Sequence, residues 1–138
     1  MNALPDSFFV AVAAGMVRSA TPVLYATLGE IITERSGILN VGLEGIMLVG
    51  ACTSVIVTFQ TGNPVLGLIA ALASGGVLGL IHAIMSIYFK ANQVATGIAM
   101  TIFGTGLSAF LGASYVGKQI QNIGPYKVPV LGDLPIVG

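Results

Sequence analysis

From Pro64 to Phe89 the chain carries no aspartate, glutamate, lysine or arginine, and His82 and Tyr88 are the only titratable side chains in that run. An uncharged apolar stretch of this length exceeds the roughly 20 residues that a helix needs to cross the hydrocarbon core of a bilayer. Three more stretches have the same character: about 7–33, 38–59 and 94–116. A soluble fold is excluded by what would have to cover it. Only 7% of the residues are charged, five Lys/Arg and five Asp/Glu in all, against roughly 25% in soluble domains. The mean hydropathy is +0.96. The expected fold is therefore all-α, a polytopic transmembrane helical bundle of about four segments at 7–33, 38–59, 64–89 and 94–116, with an external loop at 117–138.

The breaks between segments are written in the sequence. QTGNP places Gly62, Asn63 and Pro64 after the second segment, and Lys90, Asn92 and Gln93 form a short polar joint after the third. The tail KQIQNIGPYKVPVLGDLPIVG is rich in Pro and Gly and lacks helical period. The N-terminal MNALPDSFFVAVAAGM has no basic residue ahead of its apolar run, which makes it a poor signal peptide. Arg35 and Lys90 lie at alternate joints, so the positive-inside argument puts both on the cytoplasmic face and the N-terminus, QTGNP and the tail outside.

Glycine costs a soluble helix about 1 kcal/mol relative to alanine, yet there are 19 glycines. In lipid they let backbones approach. Gly67, Ala71, Gly75, Gly79 and Ala83 follow one another at a spacing of four, and Gly104, Ser108 and Gly112 repeat the device. Both are expected to be helix-packing faces.

One stretch breaks the pattern of avoided charge. ERSGILNVGLEG, residues 34–45, gathers Glu34, Arg35, Asn40 and Glu44 among Gly37, Gly42 and Gly45. This composition predicts an interrupted helix, which membranes tolerate only where it is buried in protein or lines an aqueous path. Asn40, Gly42, Glu44 and Gly45 are the candidate substrate-pathway residues. An ionisable group within a span is costly and is read as functional or paired. Glu44 has two readings, a carboxylate tied to backbone amides or to Arg18 or Arg35, or a group facing the substrate; Glu30 is similar. Glu34 and Arg35 read as an exposed joint, His82 as a hydrogen-bonded packing residue, and Cys52 as a small apolar residue. No nucleophile with its base, no phosphate-cradling loop and no metal-ligand cluster is present, so neither catalysis nor a cofactor or metal is expected within this chain. Its zero net charge gives no reason to expect a nucleic-acid partner.

TPVLYATLGEIITERSGILNVGLEGIMLVGA, followed by NPVLGLIAALASGGVLGLIHAIMSIYFKANQVATGIAMTIFGTGLSAFLGASYVG, resembles the N-terminal half of the permease subunits of ABC importers for simple sugars and nucleosides. These are relatives of the ribose-type and branched-chain amino-acid permeases. The likeness covers about Thr21 to Gly117; ERSGILNVGLEGIMLVGA is its most specific part and KANQVATGIAMTIFGTGLSAFLG supports it. It implies a multi-pass protein of the cytoplasmic (inner) membrane that moves a nucleoside or simple sugar by alternating access. Implied partners are a second permease subunit, a cytoplasmic ABC ATPase that hydrolyses the ATP, and a periplasmic or lipid-anchored substrate-binding protein. The family's later half carries the segment that couples to the ATPase, and no match for it is found, so residues 1–138 are expected to be the N-terminal part of one permease domain, a truncated product or a fragment. The alternatives are a small self-assembling channel or secondary carrier without an ATPase, or an inactive fragment.

Overall fold

A computed structural model describes residues 6–118, and these form four long helices. α1 spans Asp6–Arg35, α2 Leu43–Thr61, α3 Pro64–Ala83 and α4 Gln93–Gly112. α3 runs on into a π-helical turn, Ile84–Tyr88, and α4 into a 3-10 turn, Ala113–Tyr115. All four are long and apolar enough to cross a membrane. The expected second segment began at residue 38, whereas α2 starts at Leu43, because the chain from 36 to 42 leaves the helix. The expected external loop, apart from Gly117 and Lys118, lies outside the described residues.

Local chemistry sets these boundaries. α2 stops at Gly62, which takes the left-handed conformation at φ 68°, and the Gly62 N–H donates to the Thr58 carbonyl at 2.8 Å. One residue later the Asn63 side chain accepts from the Val65 N–H at 2.9 Å, and Pro64 occupies the first helical position, where its missing N–H costs nothing. α4 starts in the same way, with the Asn92 side chain accepting from the Ala95 N–H at 3.1 Å. Within α1 the hydroxyls of Thr21 and Thr27 donate to the carbonyls of Val17 and Val23, which satisfies them without water.

α2 is the centre of the bundle. It packs on α3 along one side and on α4 along another, while α3 and α4 barely meet. The direction of each contact follows from its residue pairs. Gly67 lies against Ser54 and Thr58, Ala71 against Gly50, and Gly75 against Ile46, so α3 runs antiparallel to α2. Gly97 lies against Gly42, Gly104 against Gly45, and Gly112 against Cys52, so α4 runs parallel to α2. The small shared core takes one residue from each of α2, α3 and α4: Val49, Leu78 and Met100, with Ile46 and Leu107 packed around them. α1 stands apart, with none of its most apolar stretch buried. Its 30 residues give a length of about 45 Å, more than the roughly 30 Å hydrocarbon layer. Large side chains such as Leu72, Ile102 and Phe110 are 68%, 69% and 79% exposed. Such a surface is untenable in water and ordinary against lipid or further helices.

Candidate functional site

The interruption between α1 and α2, residues 36–42, shares one end of the bundle with the α3–α4 joint. Its backbone is not helical, yet most of its N–H groups find partners. The N–H groups of Ser36, Gly37 and Ile38 donate back to carbonyls of the last turn of α1, at Thr33, Glu34 and Thr33 in turn, over 3.0, 2.9 and 3.1 Å. Gly37 makes this reversal by adopting φ +83°, a conformation that costs glycine nothing. Further along, no main-chain acceptor serves the N–H groups of Leu39, Asn40 and Gly42, and side chains take over. Gln93 Oε1 accepts from the Leu39 N–H at 2.7 Å, Glu30 Oε1 accepts from the Asn40 N–H at 2.8 Å, and Asn40 Oδ1 accepts from the Gly42 N–H at 3.2 Å. Two more groups donate to the segment's carbonyls: Gln93 Nε2 to Gly37 at 3.3 Å, and Thr101 Oγ1 to Val41 at 3.3 Å. This is how non-helical backbone is made tolerable where water is scarce.

The two candidate carboxylates differ in what they do. Glu30 is half-buried on the last turns of α1; besides Asn40 it holds the Thr33 hydroxyl, which donates to Glu30 Oε2 at 3.1 Å. Glu44 is exposed in the first turn of α2, where a negative charge also suits the positive end of the helix dipole.

Gly42 and Gly45 are buried, and the reason is proximity. Gly42 sits at φ −83°, open to any residue, and Gly45 is within α2. A β-carbon on Gly42 would lie 2.8 Å from Met100 Cβ and 3.0 Å from the Gly97 carbonyl oxygen. One on Gly45 would run into the Met100 carbonyl oxygen and sit 2.7 Å from Thr101 Cα. The glycines expected to free the backbone of the break therefore lie where α2 crosses α4. Gly37 alone in this segment uses glycine's conformational freedom.

The expected packing residues fall out unevenly. Gly67, Ala71 and Gly75 face α2, where the Thr53 and Ser74 hydroxyls also pair at 2.7 Å, but a β-carbon on Gly79 would meet nothing within 4 Å. Ala83 is half-buried at the end of α3. Gly104 abuts the Gly45 backbone, the Ser108 carbonyl accepts from the Cys52 thiol at 3.5 Å, and Gly112 faces Cys52 Sγ. His82 is 3% exposed, with Nε2 3.4 Å from the Ser86 hydroxyl and Nδ1 without a partner among the described residues.

Sequence reasoning placed Gln93 only in a short polar joint and did not single out Gly97 or Thr101. The partners of Gln93 lie 54 and 56 positions away, beyond any local pattern. The available signal was a side-chain amide placed directly after the cap of an otherwise apolar helix.

Four helices long and apolar enough to cross a membrane, with a clamped break between the first two, define a multi-pass membrane protein. The model of the branched-chain amino acid transport system permease component matches residues 12–131, and the chain belongs to this family. It is 42% identical over 136 residues to a putative glucose ABC transporter permease of Haloferax volcanii, covering 96% of this chain and 41% of that one. A guanosine ABC transporter permease of Bacillus subtilis is 39% identical over 130 residues, with 86% and 41% covered. A nucleoside ABC transporter permease of Lactococcus lactis is 31% identical over 137 residues, with 92% and 43% covered. The chain thus spans about two-fifths of the length of these curated relatives. No solved structure matches it.

Proposed function

We propose that this chain supplies the first helices of an ABC-importer permease that carries a nucleoside or simple sugar across the cytoplasmic membrane by alternating access. The observation that carries the reading is the clamped break. A non-helical segment between two spanning helices is clamped by side chains of α1 and α4, Glu30 from the first and Gln93 and Thr101 from the second, and this is an arrangement that transporters use where solute passes. The substrates named for the relatives, glucose, guanosine and nucleosides, supply the substrate class. Asn40 ties the break together, Gly42 and Gly45 seat the start of α2 against α4 beside it, and Glu44 is the exposed carboxylate there that meets the hydroxyls of the passing solute. A second permease subunit completes the pathway, a cytoplasmic ATPase supplies the energy, and a periplasmic or lipid-anchored binding protein delivers the solute. The test is uptake of radiolabelled guanosine and glucose by cells expressing the complete transporter that contains this chain. ATP-dependent accumulation of one of them is the expected result; uptake that persists when the partner ATPase is inactivated would contradict it.

A further inference from the structure

We infer that Gln93 is a positioning residue of the transport pathway, holding the backbone on both sides of Ile38 in the one orientation that presents Asn40 and Glu44 correctly. The inference rests on the transport reading above, but its geometry stands alone. A glutamine side chain ends in the same amide as the main chain, with a carbonyl acceptor and an N–H donor in fixed relation. Gln93 uses both ends on one short segment: Oε1 on the Leu39 N–H at 2.7 Å, Nε2 on the Gly37 carbonyl at 3.3 Å. It therefore stands in for a neighbouring strand. A carboxylate would keep the first bond and set its other oxygen against the Gly37 carbonyl, a lysine would keep only the second, and an asparagine is one methylene too short.

Two further observations separate this from a helix cap. Asn92 already caps α4, through Ala95, so Gln93 is not needed to start the helix. The approach to Gln93 is also irregular. α3 widens into the π-helical turn Ile84–Tyr88, the Ala91 N–H reaches back to the Met85 carbonyl at 3.0 Å, and Lys90 adopts φ 51°, a left-handed conformation unfavourable for a residue with a β-carbon. Irregular backbone of this kind clusters at functional sites. At this joint it delivers Gln93 to the break, so that the start of α4 and the break share one latch.

The test uses the complete transporter with Cys52→Ala and a single reporter, Leu39→Cys, in the half-exposed break. Maleimide labelling of the reporter is compared with Gln93 intact, Gln93→Glu and Gln93→Ala, and apparent KM and Vmax for guanosine uptake are measured on the same variants without the reporter. The expected result is a labelling rate that rises for Gln93→Ala and rises less for Gln93→Glu, which keeps the Leu39 acceptor. With it, KM should rise about tenfold for Gln93→Ala, the equivalent of losing one or two neutral hydrogen bonds, at unchanged membrane content. Unchanged labelling in Gln93→Ala would overturn the latch whatever happens to uptake. Faster labelling with unchanged KM would leave Gln93 a merely structural group and overturn its positioning role. Failure of the parent transporter to accumulate guanosine or glucose would instead count against the transport reading, and the labelling arm would still decide the latch.

Discussion

α2 meets its two neighbours in different ways. Against α4 the small residues come in facing pairs, Gly42 with Gly97 and Gly45 with Gly104, and backbone touches backbone. Against α3 one facing pair is small on both sides, Ala71 with Gly50, and the other small residues of α3 meet larger or hydroxyl-bearing partners. Gly67 faces Ser54 and Thr58, Ala71 faces Gly50 and Gly75 faces Ile46, and hydroxyl groups fill much of the space, including the Thr53–Ser74 pair. A run of small residues along one helix thus marks a face, but closeness of approach is set by what stands opposite. The run of four-spaced small residues in α3 is longer than the α4 pattern, yet its approach to α2 is tight only at Gly67 and relaxes towards Gly75, whose β-carbon would sit 3.6 Å from Ile46.

That contrast orders the substitutions. Gly104→Ala should have the largest effect, because its β-carbon would collide with the carbonyl oxygen, carbon and Cα of Gly45, which cannot rotate away. The cost of overpacking, about 1–3 kcal/mol or more, outweighs the gain in helix propensity of about 1 kcal/mol. It should appear as a lower melting temperature and lower yield of the detergent-solubilised complex. Gly67→Ala comes next: its β-carbon would meet the Thr58 hydroxyl, which can turn, and the Ser54 carbonyl oxygen at 2.8 Å, which cannot. Thr53→Val removes one interhelical hydroxyl pair and should cost about 0.6 kcal/mol, the average found for such bonds within membranes. Gly79→Ala should be neutral or slightly stabilising, since its β-carbon enters open space and only the propensity gain remains. A Gly79→Ala as damaging as Gly104→Ala would show that α3 makes a second close contact and would erase the contrast.

How much of this was legible in the sequence follows from the range of each interaction. Spans and joints were legible because hydropathy, Asn63–Pro64, Asn92 and Gly62 act within a turn or two of themselves. The break near residues 34–45 was visible as glycines crowding polar residues. What the glycines do there was not visible: Gly42 and Gly45 look like hinges along the chain and prove to be contacts across it, with Gly97 and Met100 more than fifty residues away. Glu30 and Glu44 look alike in sequence. Only the fold shows that one lies under the Asn40 amide and the other faces outward.

The central claim is that these two carboxylates hold different offices, Glu30 keeping the break in place and Glu44 meeting the solute. It is tested most directly by placing Glu30→Gln and Glu44→Gln separately in the complete transporter and measuring, for each, the melting temperature of the purified complex and the KM for guanosine uptake. The account predicts a lowered melting temperature for Glu30→Gln, because a charge-assisted hydrogen bond becomes a neutral one, and an unchanged melting temperature with a raised KM for Glu44→Gln. A lowered melting temperature with unchanged KM in Glu44→Gln, or no effect of either variant on either quantity, would contradict it.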